Sequence, residues 1–162
     1  MPFEKKKEAK WYSKKDAFLK ACNYCAYQER TKQEVREKLD EWGQYGDEAE
    51  EIICQLIEEN FLNEERFAKA FAGGRFRLKK WGRVRITHEL KQRGVSDYCI
   101  RQAMKEIPAA DYQAVLYQLV EKKLATLEGQ SPLVQKNKAA QYAVRKGYEM
   151  ELVWKVVEDF GL

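Results

Sequence analysis

Apolar residues recur along this chain at spacings of three and four nearly from end to end, the period of an α-helix with one face against a core. Several helices announce their ends. Thr31-Lys-Gln-Glu34 has the form of a capping box, in which the threonine hydroxyl accepts from the amide three residues on and Glu34 reaches back to the cap's own amide. The apolar positions that follow, Val35, Leu39 and Trp42, run into Gly43, a residue suited to the left-handed backbone at a helix terminus. Asp47 is expected to cap a helix carrying Ile53, Leu56 and Ile57, and Asn63 one carrying Phe67, Ala70 and Phe71. Ser131-Pro132 marks another start, with proline at the first helical position, where its missing N–H does no harm. The alternation from Arg83 to Thr87 would also suit a short strand, but its counterpart in the preceding unit is the capped helix, which predicts helix here too.

Set side by side, these helices form a weak repeat of about fifty residues. Val35, Leu39 and Gly43 recur 51 positions later as Ile86, Leu90 and Gly94, and again as Ala139, Ala143 and Gly147. Among the first helices, Phe18 and Cys22 match Phe67 and Phe71, then Val115 and Leu119. Among the third, Ile53 and Ile57 match Ile100 and Met104, then Val153 and Val157. The pattern predicts an all-α fold of tandem three-helix repeats, three units and about nine helices, over residues 15–61, 62–108 and 109–162. Each unit is near the size below which a domain buries too little surface to stand alone, so the units are expected to stack into an elongated, curved array. Residues 1–14, rich in lysine and without helical patterning, read as a basic flexible N-terminal tail.

Composition supports a soluble chain, 44% hydrophobic and 35% charged. No apolar run approaches the roughly 18 residues that span a bilayer, and no apolar secretion segment opens the sequence, so the expected place is the cytoplasm, as a monomer with no membrane contact. In that setting the four cysteines are not expected to form disulfides. Cys22 and Cys25 have the spacing of a zinc or thiol-exchange pair, but they share a helical stripe with Phe18 and Ala21, and no second pair completes a tetrahedral set. Core packing explains them better.

Charge changes the picture more. The net charge of +4 conceals opposed segments. Residues 15–61 carry six basic and twelve acidic side chains, whereas residues 62–108 carry twelve basic and five acidic; the tail adds +3 and residues 109–162 balance. Such polarity suits a composite partner, phosphates on one side and a basic protein face on the other, although solvated helix faces would account for it as well. Six cations, Arg75, Arg77, Lys79, Lys80, Arg83 and Arg85, fall within eleven residues, where their mutual repulsion is hard to explain by helix stability and a polyanion would relieve it. Trp81 among them reads as a filler of the helix junction or as a stacking platform for a base. Lys91 and Arg93 also suit the negative end of their own helix. Arg66 suits either a partner contact or an ion pair with a neighbouring helix.

The segment Asn60–Val95, NFLNEERFAKAFAGGRFRLKKWGRVRITHELKQRGV, resembles the RecX regulatory proteins of bacteria. The matching positions are Phe61, Leu62, Asn63, Arg66, Phe67, Ala68, Phe71, Arg75, Gly82, Ile86, Glu89, Leu90, Gly94 and Val95, joined in the preceding unit by Glu34, Val35, Lys38 and Leu39. Arg83 departs from the pattern, standing where a proline commonly follows the glycine. The resemblance is strong over about 30–95 and extends to the other helices through the repeat. It implies binding to the RecA recombinase and its filament on single-stranded DNA, with DNA, single- or double-stranded, as a second partner. It also implies inhibition of recombinase activity and hence regulation of DNA repair, recombination and the damage response. The array would then lie along the filament groove, its basic unit facing DNA or an acidic protein surface.

Two rival readings remain at this level, a free-standing helical DNA-binding protein built around Gly94 and a helical adaptor for an unrelated protein. An enzyme is the least supported reading. With His88 as the single histidine, no glycine-rich phosphate loop and no strand-turn nucleophile, no catalytic residues, cofactor or metal are expected. The acidic cluster of Glu48, Glu50 and Glu51 reads as a solvated helix face.

Overall fold

A computed structural model of the chain describes residues 11–162, and among them nine helices and no strand are found. They follow in three groups of three: α1 (Lys14–Tyr27), α2 (Lys32–Glu41) and α3 (Asp47–Glu58); α4 (Glu64–Lys79), α5 (Arg83–Gln92) and α6 (Asp97–Met104); α7 (Ala109–Ala125), α8 (Pro132–Lys146) and α9 (Met150–Asp159). The all-helical three-unit repeat is thus the fold. By internal contacts the residues divide into two bodies, one up to Phe67 and one from Ala68 to Leu162.

The central helices carry the repeat most faithfully. Val35, Leu39, Ile86, Leu90, Ala139 and Ala143 are all fully buried, and Gly43, Gly94 and Gly147 all adopt positive φ just past their helices. Burying each valine, leucine or isoleucine contributes about 1.5–3 kcal/mol by leaving water, and each alanine of the third pair about 0.8 kcal/mol. Helix starts follow from short polar side chains: Thr31 Oγ1 accepts from the Glu34 amide at 3.1 Å, Asn63 Oδ1 from the Arg66 amide at 2.9 Å, and Ser131 Oγ from the Val134 amide at 3.4 Å. The Arg83–Thr87 segment is the first half of α5, as helix and not strand.

Five local expectations are corrected. Asp47 does not cap α3; Gly46 does, at φ +64°, and Asp47 begins the helix, its carboxylate joining Glu48 and Glu50 at the positive end of the dipole. The buried stripe of α1 is Ala17, Ala21 and Cys25, with Phe18 and Cys22 only half-buried beside it. Those three stand 51 positions before Ala68, Ala72 and Phe76, which are buried as well, so the first helices share the offset of the central ones. Alanine dominates because small side chains let helices approach closely. Ala70 is exposed on α4, and Ile57 is exposed because the i, i+3, i+4, i+7 stripe of α3 is Ala49, Ile52, Ile53 and Leu56. Finally, residues 1–10 of the expected tail lie outside the described residues, whereas residues 11–14 belong to the fold: Tyr12 donates its amide to the Trp42 carbonyl, Gln44 Nε2 donates to the Tyr12 carbonyl, Ser13 caps α1, and the Trp11 ring covers Gly43.

Cys25 is a core residue, its thiol pushed up to about 11 by burial and by Cys22 beside it, and Cys22 is raised by burial and by Glu59. Both thiols are therefore protonated at neutral pH and poor nucleophiles. No helix among the described residues is long and apolar enough to cross a membrane.

Candidate nucleic-acid interface

The cationic stretch of the sequence lies at the end of α4, the loop 80–82 and the first turn of α5. The α4 terminus places it. Lys80 takes a left-handed conformation, φ +57°, where glycine is usual and a lysine costs about 1 kcal/mol. The Lys80 amide donates to the Phe76 carbonyl and the Trp81 amide to the Arg75 carbonyl, the paired bonds that close a helix by reversing its chain. Tyr148 holds the turn from outside, its hydroxyl donating to the Lys80 carbonyl at 2.9 Å.

The following helix is capped by another repeat. Gly82 has no side chain to accept from the first amides of α5, and those amides are satisfied instead by α7 and by the loop between α8 and α9. The Arg83 amide donates to the Tyr112 hydroxyl at 3.1 Å, the Val84 amide to the Gly147 carbonyl at 2.9 Å, and the Gly82 amide to the Lys146 carbonyl at 2.8 Å. Tyr112 in turn donates to Glu149 at 2.8 Å, and its ring lies 4.9 Å from that of Tyr148. Burial raises both phenols above their ordinary range, so both stay protonated and able to donate. Tyr112→Phe is expected to cost about 1–3 kcal/mol, because it removes both hydrogen bonds of the hydroxyl, to Glu149 and from the Arg83 amide, and strands that helix-terminal amide; loss of less than about 0.5 kcal/mol on urea unfolding would show that the hydroxyl is not a cap.

Around this turn the cations are held on aromatic rings. Phe71 and Trp81 meet edge to face at 6.4 Å. The Arg75 guanidinium lies 4.6 Å from the Phe71 centroid and 5.4 Å from that of Trp81; Arg85 is 4.0 Å and Lys79 5.8 Å from Trp81, and Arg93 is 4.8 Å from Phe71. Ring quadrupoles offset part of the repulsion that makes this cluster improbable in water, at about 0.5–1 kcal/mol per contact near the surface. They also hold the guanidinium groups in place, so less side-chain freedom remains to be lost on binding. Among the described residues none of Arg75, Arg77, Lys79, Lys80, Arg83 and Arg85 is in an ion pair; Arg93 is, with Glu89 at 2.7 Å, and Arg75 Nε is buried without a hydrogen-bond partner.

The structure therefore brings Arg75, Lys79, Trp81, Arg85 and Arg93 together. Arg83 stands apart, 4.0 Å over the Tyr112 ring, Arg77 folds back along α4 over Gly73, and Lys91 is exposed on α5. Arg66 lies in the first body and is fully engaged there: Nε pairs with Glu29 at 2.5 Å, while the terminal nitrogens donate to the Asn60 side chain and to the carbonyls of Asn60 and Phe61. It clasps two loops. Trp81 is half-buried, and its ring carries the cations of Arg75, Lys79 and Arg85. Sequence reasoning missed Phe71 as a platform, reading it as core, and missed Tyr112 and Tyr148 altogether, since nothing local relates a tyrosine to a helix start 29 residues earlier or a loop carbonyl 68 residues earlier.

Comparison with known proteins converges on one family. Its three profiles match in order, "RecX, first three-helix domain" over residues 17–56, "RecX, second three-helix domain" over 63–104 and "RecX, third three-helix domain" over 110–157. Proteins of Bacillus cytotoxicus and Bacillus cereus named "Regulatory protein RecX" are each 30% identical over 145 residues, 88% of this chain and 53% of theirs. The chain thus spans about half the length of the curated relatives it matches. A crystal structure of RecX from Lactobacillus salivarius superposes with a TM-score of 0.84 at 23% identity, over 91% of this chain and 96% of that one. A second, of a regulatory protein RecX, reaches 0.81 at 19%, over 90% and 71%. At such identities the structural likeness speaks for the fold.

Proposed function

We propose, because this chain belongs to the RecX family of regulatory proteins, that it binds the RecA recombinase and its filament on single-stranded DNA and restrains recombinase activity, and so regulates repair and recombination in the cytoplasm. The observation that supports this reading best is the cation–aromatic surface of the second repeat, with Arg75, Lys79, Arg85 and Arg93 ranged on Phe71 and Trp81. Arg93 is paired with Glu89, but Arg75, Lys79 and Arg85 are in no ion pair among the described residues, and cations so positioned suit phosphate oxygens, a contact that needs no sequence-specific readout. The protein acts by occupancy and carries out no bond-making of its own.

The test is RecA-driven ATP hydrolysis on single-stranded DNA with the purified protein added well below one per RecA subunit. Hydrolysis is expected to decline, since a filament regulator acts on many subunits at once. An unchanged rate at equimolar protein would refute the reading, and sequence-selective duplex binding without RecA would favour a free-standing DNA-binding protein instead.

A further inference from the structure

An apolar cavity of about 260 Å3 opens between α8 and α9, lined by Ala140 and Val144 of the one and Met150 and Trp154 of the other, with Asn137 and Arg145 beside them. Met150 is 61% exposed, and Leu133 on the first turn of α8 is 68% exposed. That is much apolar surface to leave in water.

The internal repeat shows that this apolarity belongs to the third unit alone. In the register that aligns Ala139 with Ile86 and Val35, and Val153 with Ile100 and Ile53, the four walls Ala140, Val144, Met150 and Trp154 correspond to Thr87, Lys91, Asp97 and Arg101 in the second unit. In the first they correspond to Arg36, Asp40, Glu50 and Cys54, and there an ion pair between Arg36 and Glu50, 2.7 Å long, spans the gap between the two helices. The same groove, charged and bridged in one repeat, is walled by apolar side chains and left open in another.

The surroundings specify what would fill it. The volume falls below the roughly 300 Å3 at which small-molecule pockets begin, and suits one large side chain. α8 carries Lys136, Lys138, Arg145 and Lys146 and no carboxylate; α9 carries Glu151, Glu158 and Asp159 against Lys155, but none of these lines the cavity, where Arg145 is the charged lining residue. We infer that this cavity is a docking site for a leucine or phenylalanine carried on an acidic segment of a partner protein. That the partner is a recombinase protomer rests on the function proposed above. The third repeat then supplies the protein anchor, and the second the contact to polyanion.

The probe is a fluorescein-labelled acidic peptide with a single phenylalanine among aspartates and glutamates, read by anisotropy against the intact protein. Binding is expected to weaken at least about 10-fold when the phenylalanine is replaced by serine, and about 30-fold in Met150→Glu, as for loss of a central anchor contact. Glutamate at the first position of α9 suits the helix dipole, and helical circular dichroism confirms the fold. Arg145→Glu, at an exposed position, is expected to weaken binding through charge alone. No saturable binding below about 1 mM, a threshold equivalent to about 4 kcal/mol, or equal binding to both peptides or by both variants, overturns the docking site. RecA without DNA is then added as competitor. Displacement of the peptide upholds the recombinase as the partner; no displacement, with peptide binding intact, overturns that identification and leaves the cavity's chemistry standing.

Discussion

Reversing Arg77, Lys79 and Arg85 together to glutamate is expected to lower affinity for single-stranded DNA by about 100-fold near physiological salt, and to flatten the logarithmic salt dependence by about two units for three lost phosphate contacts. These three are chosen because their side chains are exposed: Lys79 and Arg85 stand on Trp81, and Arg77, outside that cluster, shares the last turn of α4 with Lys79. Arg75 is left in place. Its Nε is buried against Phe71 and Trp81, so a carboxylate there would have to enter an apolar site and would confuse folding with binding. The triple variant should fold, since it gives up only the contacts of Lys79 and Arg85 with Trp81, worth about 1–2 kcal/mol together, and a shift in melting of a few degrees checks this. Fluorescence titration at several salt concentrations measures both quantities. An unchanged slope would mean that this surface touches no phosphate, and inhibition of RecA by the variant at wild-type strength would remove it from the function.

The second large effect is structural. Gly82→Ala is expected to destabilise the body from Ala68 to Leu162 by about 3 kcal/mol, because a Cβ at 82 would lie 2.2 Å from the carbonyl carbon and oxygen of Gly147. Backbone stands on both sides, so no side chain can rotate away. The loops must separate, and the bonds from Gly82 to Lys146 and from Val84 to Gly147 weaken with them, at about 1 kcal/mol each. For a body of about this size the melting temperature should fall by roughly 15 °C. Gly74→Ala is the control, since nothing lies within 4 Å of its Cβ and it sits inside α4, where alanine is the better helix former by about 1 kcal/mol. If both variants melt within about two degrees of the parent, the close approach of the two loops is not what holds the second repeat to the third. If Gly82→Ala melts early as expected, weaker DNA binding should accompany it, because Lys80, Trp81, Arg83 and Arg85 all leave the same turn.

These two predictions fall on opposite sides of what can be read without coordinates. The helical period, the caps at Thr31, Asn63 and Ser131, the positive-φ glycines at 43, 94 and 147 and the threefold recurrence of the central helix are all local properties of the chain. A helix face repeats every few residues and a cap acts over three, so sequence order and spatial order coincide. The cationic cluster was legible for the same reason, as six charges within eleven residues. Errors arose where neighbouring stripes on one helix compete, as when Phe18 and Cys22 marked the repeat in place of Ala17 and Ala21, although Ala21 was already on the expected core stripe. Hydrophobicity marks the larger residue, but close helix packing buries the smaller one.

The chain alone therefore determined that this is an all-helical, three-unit repeat with a basic middle and the signature of one family. Tertiary structure alone decided which cations share a surface, that Phe71 is a platform for them, and that Arg66 is a clasp within the first body. It also decided how α5 begins. The Arg83 amide, which a proline at that position would lack, finds its acceptor in the hydroxyl of Tyr112, and Gly82 finds its neighbour in Gly147. Pairings of that kind join residues tens of positions apart, and no local preference encodes them; they exist only because the second and third triads pack against one another closely enough for backbone to meet backbone.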